Sequence, residues 1–153
     1  MVSYNKQGLI DEIKLQFRIN WHGIHGANHW ARVLNHGIAI AKIVKADLLV
    51  VELFAFLHDS QRHNEHVDVL HGARAADYTA SLNKVYFDLS AKQLNDLCHA
   101  IRFHSDGLTH ANTTIQTCWD ADRLDLSRVG IKPDTKYLSA TAASRLNCQK
   151  TYS

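Results

Sequence analysis

The 153-residue chain carries 17 lysines and arginines against 15 aspartates and glutamates, a formal charge of +2 without a basic run, so charge-driven binding of nucleic acid is not expected. This length fits one domain, 1–153, able to bury an apolar core without disulfides or a structural metal. Cys98, Cys118 and Cys148 form neither a disulfide framework nor a CxxC pair, the N-terminus lacks an apolar signal region, and no apolar run reaches bilayer length; the expectation is a cytoplasmic protein that does not engage membranes.

Scarce proline and alanine-rich segments with three-to-four apolar spacing predict an all-α chain, a compact bundle of about six to seven helices. Ile10, Ile13, Leu15 and Phe17 mark a first helix over about 5–19. A glycine-punctuated loop, WHGIHGANH, leads to Asn28 as the expected N-cap of a helix over 29–43. Asp47 caps the next helix, 48–58, which is apolar on nearly every face and therefore central; it ends in His58-Asp59. The polar stretch SQRHNEHVD is a loop before a fourth helix over about 69–82. Ser90 and Gln93 have capping-box spacing and open a fifth helix through Leu94, Leu97, Ile101 and His104, stopped at Ser105-Asp106-Gly107. A shorter helix spans 117–126, Pro133 sits in a connecting turn, and a last helix covers 138–146.

Histidine is the compositional outlier, with eleven dispersed copies. His58-Asp59 matters most, because an imidazole and a carboxylate at the edge of a buried helix are costly unless compensated, most often by a divalent metal. Candidate partners are His29, His71, His104, and Asp120 or Asp122. On a helix Asp120 and Asp122 point about 200 degrees apart, so only one can face a site. Three helices bearing His29, His58 and Asp122 would supply the mixed nitrogen and oxygen set that suits a catalytic ion with open positions. His71 and His104, each at a helix terminus, are available for a second metal or for a substrate's negative charge. His22 and His25 rival His29 in the same loop and are expected near the mouth of the site. His36, His63, His66 and His110 read as solvated, and His99 as packing or surface. Trp21, Trp30 and Trp119 read as core, and Arg123 and Arg128 as ion-pair partners of the nearby aspartates.

The ordered elements His29-Trp30-Ala31-Arg32-Val33, Phe56-Leu57-His58-Asp59, His71-Gly72-Ala73-Arg74-Ala75-Ala76, His104-Ser105-Asp106-Gly107 and Asp120-Ala121-Asp122-Arg123-Leu124-Asp125 span about 25–128. Together they resemble the HD-domain superfamily of metal-dependent phosphohydrolases. The resemblance implies an HD-like bundle with His29, His58, Asp59 and Asp122 as metal ligands, Asp122 being preferred over Asp120 because Ala121-Asp122-Arg123-Leu124 matches a segment common in the superfamily. Asp125 would support the ligands from behind. His71 and His104 correspond to the extra histidines of binuclear members, in which Asp59 would bridge two ions. In a mononuclear site they, with Arg32, Arg62 and Arg74, would contact phosphate.

The implied activity is hydrolysis of a nucleotide or other small phosphate ester by water activated on a divalent ion (Mn, Co, Ni, Mg, Zn or Fe), with Asp59, His71 and His104 as catalytic residues. The general base stays open between Asp59 and Glu52. Two other functions remain: a di-iron oxygenase using His29, His58, Asp59, His71, His104 and Asp122, and a non-catalytic module that binds metal or nucleotide. A homodimer is compatible with either.

Overall fold

The structure, a computed structural model, describes residues 4–150. Among them are seven α-helices: α1 Lys6–Gln16, α2 Ala27–Val44, α3 Leu48–Leu57, α4 His71–Leu82, α5 Ala91–Phe103, α6 Thr113–Arg123 and α7 Ala140–Lys150. Two 3-10 turns, Leu126–Val129 and Thr135–Tyr137, lie between α6 and α7. The only β-pairing among the described residues is an isolated bridge between Asn83 and Phe87, so the expected all-α architecture is the observed one. None of these helices is long and apolar enough to cross a membrane.

Polar side chains that take up the orphan amides of the first turn start four of the helices. Asn5 accepts from Gly8 on α1, Asp47 from Leu49 and Val50 on α3, and Asn112 from Thr114 and Ile115 on α6. Both bonds of the Ser90–Gln93 capping box are present on α5. The α2 start differs from expectation: its N-cap is Gly26, not Asn28. The amide of Ala27 donates to the Trp21 carbonyl at 2.8 Å, and this tight return would drive a Cβ at position 26 into that same carbonyl.

α1 ends earlier than its apolar spacing suggests. Phe17 turns extended and packs edge-on against Trp21 and Trp30, at centroid distances of 5.5 and 5.3 Å, so tertiary packing of three aromatic rings overrides helical continuation. α6 begins at Thr113 rather than at 117, because Asn112 supplies a cap the apolar pattern does not reveal.

α3 forms the axis of the bundle. Val50, Val51, Leu53, Phe54, Ala55 and Leu57 are buried, and the helix packs on α2, α5 and α6. Burying each large apolar side chain contributes about 1.5–3 kcal/mol, so α3 is held in place although two polar groups follow directly at its C-terminus. α2 also packs against α6 and α7, while α4 lies chiefly on α5.

His36 is not solvated as its polar neighbours suggested; it is buried on α2, and its Nδ1 accepts from Arg145 Nε of α7 at 2.9 Å. Beside it Ile40, Leu124, Ala142 and Leu146 form a small apolar cluster that joins α2, α6 and α7. Burial, reinforced by the Arg145 charge, pushes the His36 pKa down to about 4. A lowered folded-state pKa means that the unfolded chain binds more protons, so the neutral ring's contribution is complete above about pH 6.5 and is lost as pH falls towards 4. Denaturant melts across that window should show stability dropping by on the order of 3 kcal/mol from this group. His36→Gln, which keeps an acceptor for Arg145, should flatten that part of the pH profile; an unchanged slope would place the titration elsewhere.

Candidate metal centre

Five helix ends meet at one place. His29 stands in the first turn of α2, His58 and Asp59 follow the last turn of α3, His71 opens α4, His104 ends α5, and Asp122 lies in the last turn of α6. The approach of α4 to α5 depends on Gly72, where a Cβ would sit 2.6 Å from the Arg102 carbonyl and 3.0 Å from that of Ile101. Without a side chain at 72 the first turn of α4 closes on the last turn of α5, and His71 reaches His104.

The tautomers follow from what faces each Nδ1. Asp125 Oδ2 is 2.7 Å from His29 Nδ1, the Phe54 carbonyl 3.0 Å from that of His58, the Asp68 carbonyl 2.5 Å from that of His71, and the Ile101 carbonyl 2.6 Å from that of His104. These oxygens only accept, so each Nδ1 carries a proton, and in the neutral ring each Nε2 turns a lone pair inward. The Nε2 atoms meet in pairs, His29 with His58 at 3.0 Å and His71 with His104 at 2.9 Å. Facing lone pairs at that separation repel unless a cation lies between or beside them.

Asp59 joins the two pairs. Its Oδ2 is 3.5 Å from Nε2 of both His29 and His58, and its Oδ1 is 3.3 Å from Nε2 of His71 and 3.4 Å from that of His104. Asp122 Oδ1 approaches the first pair, 3.2 Å from His29 and 3.5 Å from His58. It is buried and makes no aligned hydrogen bond with any described residue. An orphaned carboxylate oxygen beside two inward lone pairs is the donor set of a divalent ion such as zinc, manganese or iron. His29, His58 and Asp59 form one group that could hold an ion, and Asp59, His71 and His104 a second.

Electrostatics match this donor set. Burial alone would raise the pKa values of Asp59 and Asp122, but the surrounding imidazoles hold both carboxyls well below the usual range. Burial pulls His29 down, and Asp122 and Asp125 outweigh it, leaving the pKa raised, so an ion at His29 Nε2 would have to displace a proton that these carboxylates favour. The site favours ionised carboxylates, the form that binds metal.

Asp120 points away from the histidines. It accepts from Gln116 Nε2 at 2.9 Å and from Ser139 Oγ at 2.6 Å, and burial raises its pKa. It ties α6 to the start of α7, while Asp125 holds both His29 and, at 2.7 Å, Arg32. Arg32 is therefore spent on Asp125, and Arg74 on Asp68 and the Gln61 carbonyl; the structure brings neither to the cavity wall. Arg62 does reach the cavity, with its Nε 3.4 Å from Asp59 Oδ1. Glu52 pairs with Lys6 at 2.8 Å on the outer side of α3.

The cavity over the site measures about 330 Å³. Part of its wall comes from residues whose role the sequence did not reveal. His25, expected only near the mouth, is buried, and its Nδ1 donates to Asp59 Oδ2 at 3.1 Å; the return at Gly26 turns it inward. Leu126, Val129 and Tyr137 come from the two 3-10 turns, for which helical periodicity carries no signal. Arg123, expected in an ion pair, instead donates to the carbonyls of Tyr137 and Leu108. His22 is exposed.

Asp125→Asn should weaken metal binding about 10–100-fold, whereas Asp120→Asn should leave it intact, as read by titrating metal-free protein with manganese or cobalt. Gly72→Val should separate His71 from His104, lower the metal content per chain and cost about 1–3 kcal/mol in stability. Unaltered metal content in this variant would show that the second histidine pair holds no ion.

No family model and no curated protein matches the chain. Among solved structures, the crystal structure of a predicted HD superfamily hydrolase from an uncultured Thermotogales bacterium superposes with a TM-score of 0.75 at 23% sequence identity, covering 97% of this chain and 86% of that one. The chain thus shares the all-α fold of an HD superfamily protein, with a histidine and aspartate cluster that could hold metal where its helix ends converge.

Proposed function

We propose that the protein is a metal-dependent phosphohydrolase acting on a nucleotide or another small phosphate ester. The observation that carries this reading is Asp59, a buried carboxylate with each oxygen turned to a histidine pair, at the floor of an arginine-lined cavity. The likeness to a predicted HD superfamily hydrolase supports it.

His29, His58, Asp59 and Asp122 would hold a divalent ion, and His71 and His104 either a second ion or the substrate phosphate. A divalent ion in such a site lowers the pKa of water and offsets charge on phosphoryl oxygens. The chain's own contribution is orientation. Carbonyls at helix ends and the Asp125 carboxylate hold each imidazole in one tautomer, and Arg62 supplies positive charge beside Asp59. Burial excludes bulk water from Asp59, which strengthens every charge interaction around it. Glu52, on the far side of α3 and paired with Lys6, is not placed to act as a base, and Asp59 could do so only with one oxygen free of the histidine pairs and any ion they hold.

The complete set of four histidines and two aspartates also favours a second reading, a di-iron oxygenase. Elemental analysis separates the two: iron at two per chain with oxygen consumption supports the oxygenase. Protein loaded with manganese, cobalt, nickel or magnesium should release phosphate from a panel of nucleotides and phosphomonoesters, and His58→Ala or Asp59→Ala should reduce release by at least about a thousandfold. Absence of turnover with every metal across a broad panel would sink the hydrolase reading.

A further inference from the structure

The proposed chemistry leaves two arginines of the cavity wall without a task. Arg123 is buried, 8% exposed, and lies over the rings of Trp119 and Tyr137. Its Nη1 donates to the Tyr137 carbonyl at 2.7 Å and its Nη2 to the Leu108 carbonyl at 2.5 Å. Asp120 and Asp122 contribute negative charge nearby, but neither forms an ion pair with it among the described residues. Arg128 donates from Nε to the Ile24 carbonyl at 2.8 Å and from Nη1 to the Asp125 carbonyl at 2.9 Å. Its nearest carboxylate oxygen, on Asp125 at 3.9 Å, is already taken by His29 at 2.7 Å.

Neutral carbonyls fix these guanidinium groups without cancelling their charge, and the bonds named use two of the five N–H donors of each. A rigid cation that keeps both its charge and spare donors is built for an anion. Arg62 is the arginine in contact with Asp59, whereas the bonds of Arg123 and Arg128 run to the carbonyls of Tyr137, Leu108, Ile24 and Asp125, so the two are held apart from the histidine pairs by other segments of the chain. Of the acids on the wall, Asp59 and Asp122 face the histidine pairs and Asp134 caps Lys136, 3.7 Å from its ammonium, so none of the three forms an ion pair with either arginine. Leu126 and Val129 offer an apolar surface in the same cavity, and its volume suits a short spacer rather than a polymer.

We propose that Arg123 and Arg128 form a second anion subsite, so that the substrate carries, besides the phosphate that is hydrolysed, a further phosphate or carboxylate. The inference rests on the phosphohydrolase reading but is testable apart from turnover. Three non-hydrolysable ligands, propylphosphonate, 3-phosphonopropionate and propane-1,3-diphosphonate, would be titrated calorimetrically into manganese-loaded protein. The two ligands with an anionic group at each end should bind at least about tenfold more tightly than propylphosphonate, and whichever is tighter tells carboxylate from phosphate. Arg123→Gln, whose amide can still donate to a carbonyl, should erase that advantage, and so should Arg128→Gln if the first variant does not fold. Equal binding of the three ligands, or a preference that survives in the folded variants, would overturn the subsite. A clear binding preference without turnover on any ester would retain the subsite and discard the hydrolase.

Discussion

The buried carboxylate of Asp59 is the constraint around which the rest is arranged. An ionised group in that position costs several kcal/mol unless it is surrounded by partners, and here the partners are five imidazoles, those of His25, His29, His58, His71 and His104. Four of these imidazoles are fixed in turn from their outer nitrogen, three by main-chain carbonyls and one by Asp125, which is itself steadied by Arg32. The polar chain thus runs outward from Asp59 to the surface, and the apolar packing of α3 keeps its inner end in place.

Helix polarity helps this arrangement. His58 and His104 sit at helix C-termini, where the aligned peptide dipoles favour a positive neighbour. An ion there is stabilised by the backbone as well as by its ligands. His58 also stacks on Phe54, with centroids 4.8 Å apart, so that its ring packs into the core that α3 forms.

Much of the fold was legible because α3 is apolar on almost every face, and because Asp47, Ser90 and Gln93 are strong local signals. Boundaries failed where tertiary contacts outweighed local preference, at Phe17 and Gly26. The convergence of His29, His58, Asp59 and Asp122 was legible from motif order; helical geometry showed that only one of Asp120 and Asp122 can face the site, and the resemblance of Ala121-Asp122-Arg123-Leu124 to a superfamily segment favoured Asp122. His25, Tyr137 and the carbonyl-bound arginines were not, since their roles depend on where irregular segments lie in space. His36 was misread because its partner, Arg145, lies 109 positions along the chain.

Because the site draws on the ends of five helices, its donors come together only when distant parts of the chain are already packed. Such a centre cannot template early folding, as a compact run of ligands in one loop can. An ion held there would act as a late clasp: it would close long loops whose closure entropy has already been met by the apolar core, and would stabilise the finished bundle in proportion to its binding free energy.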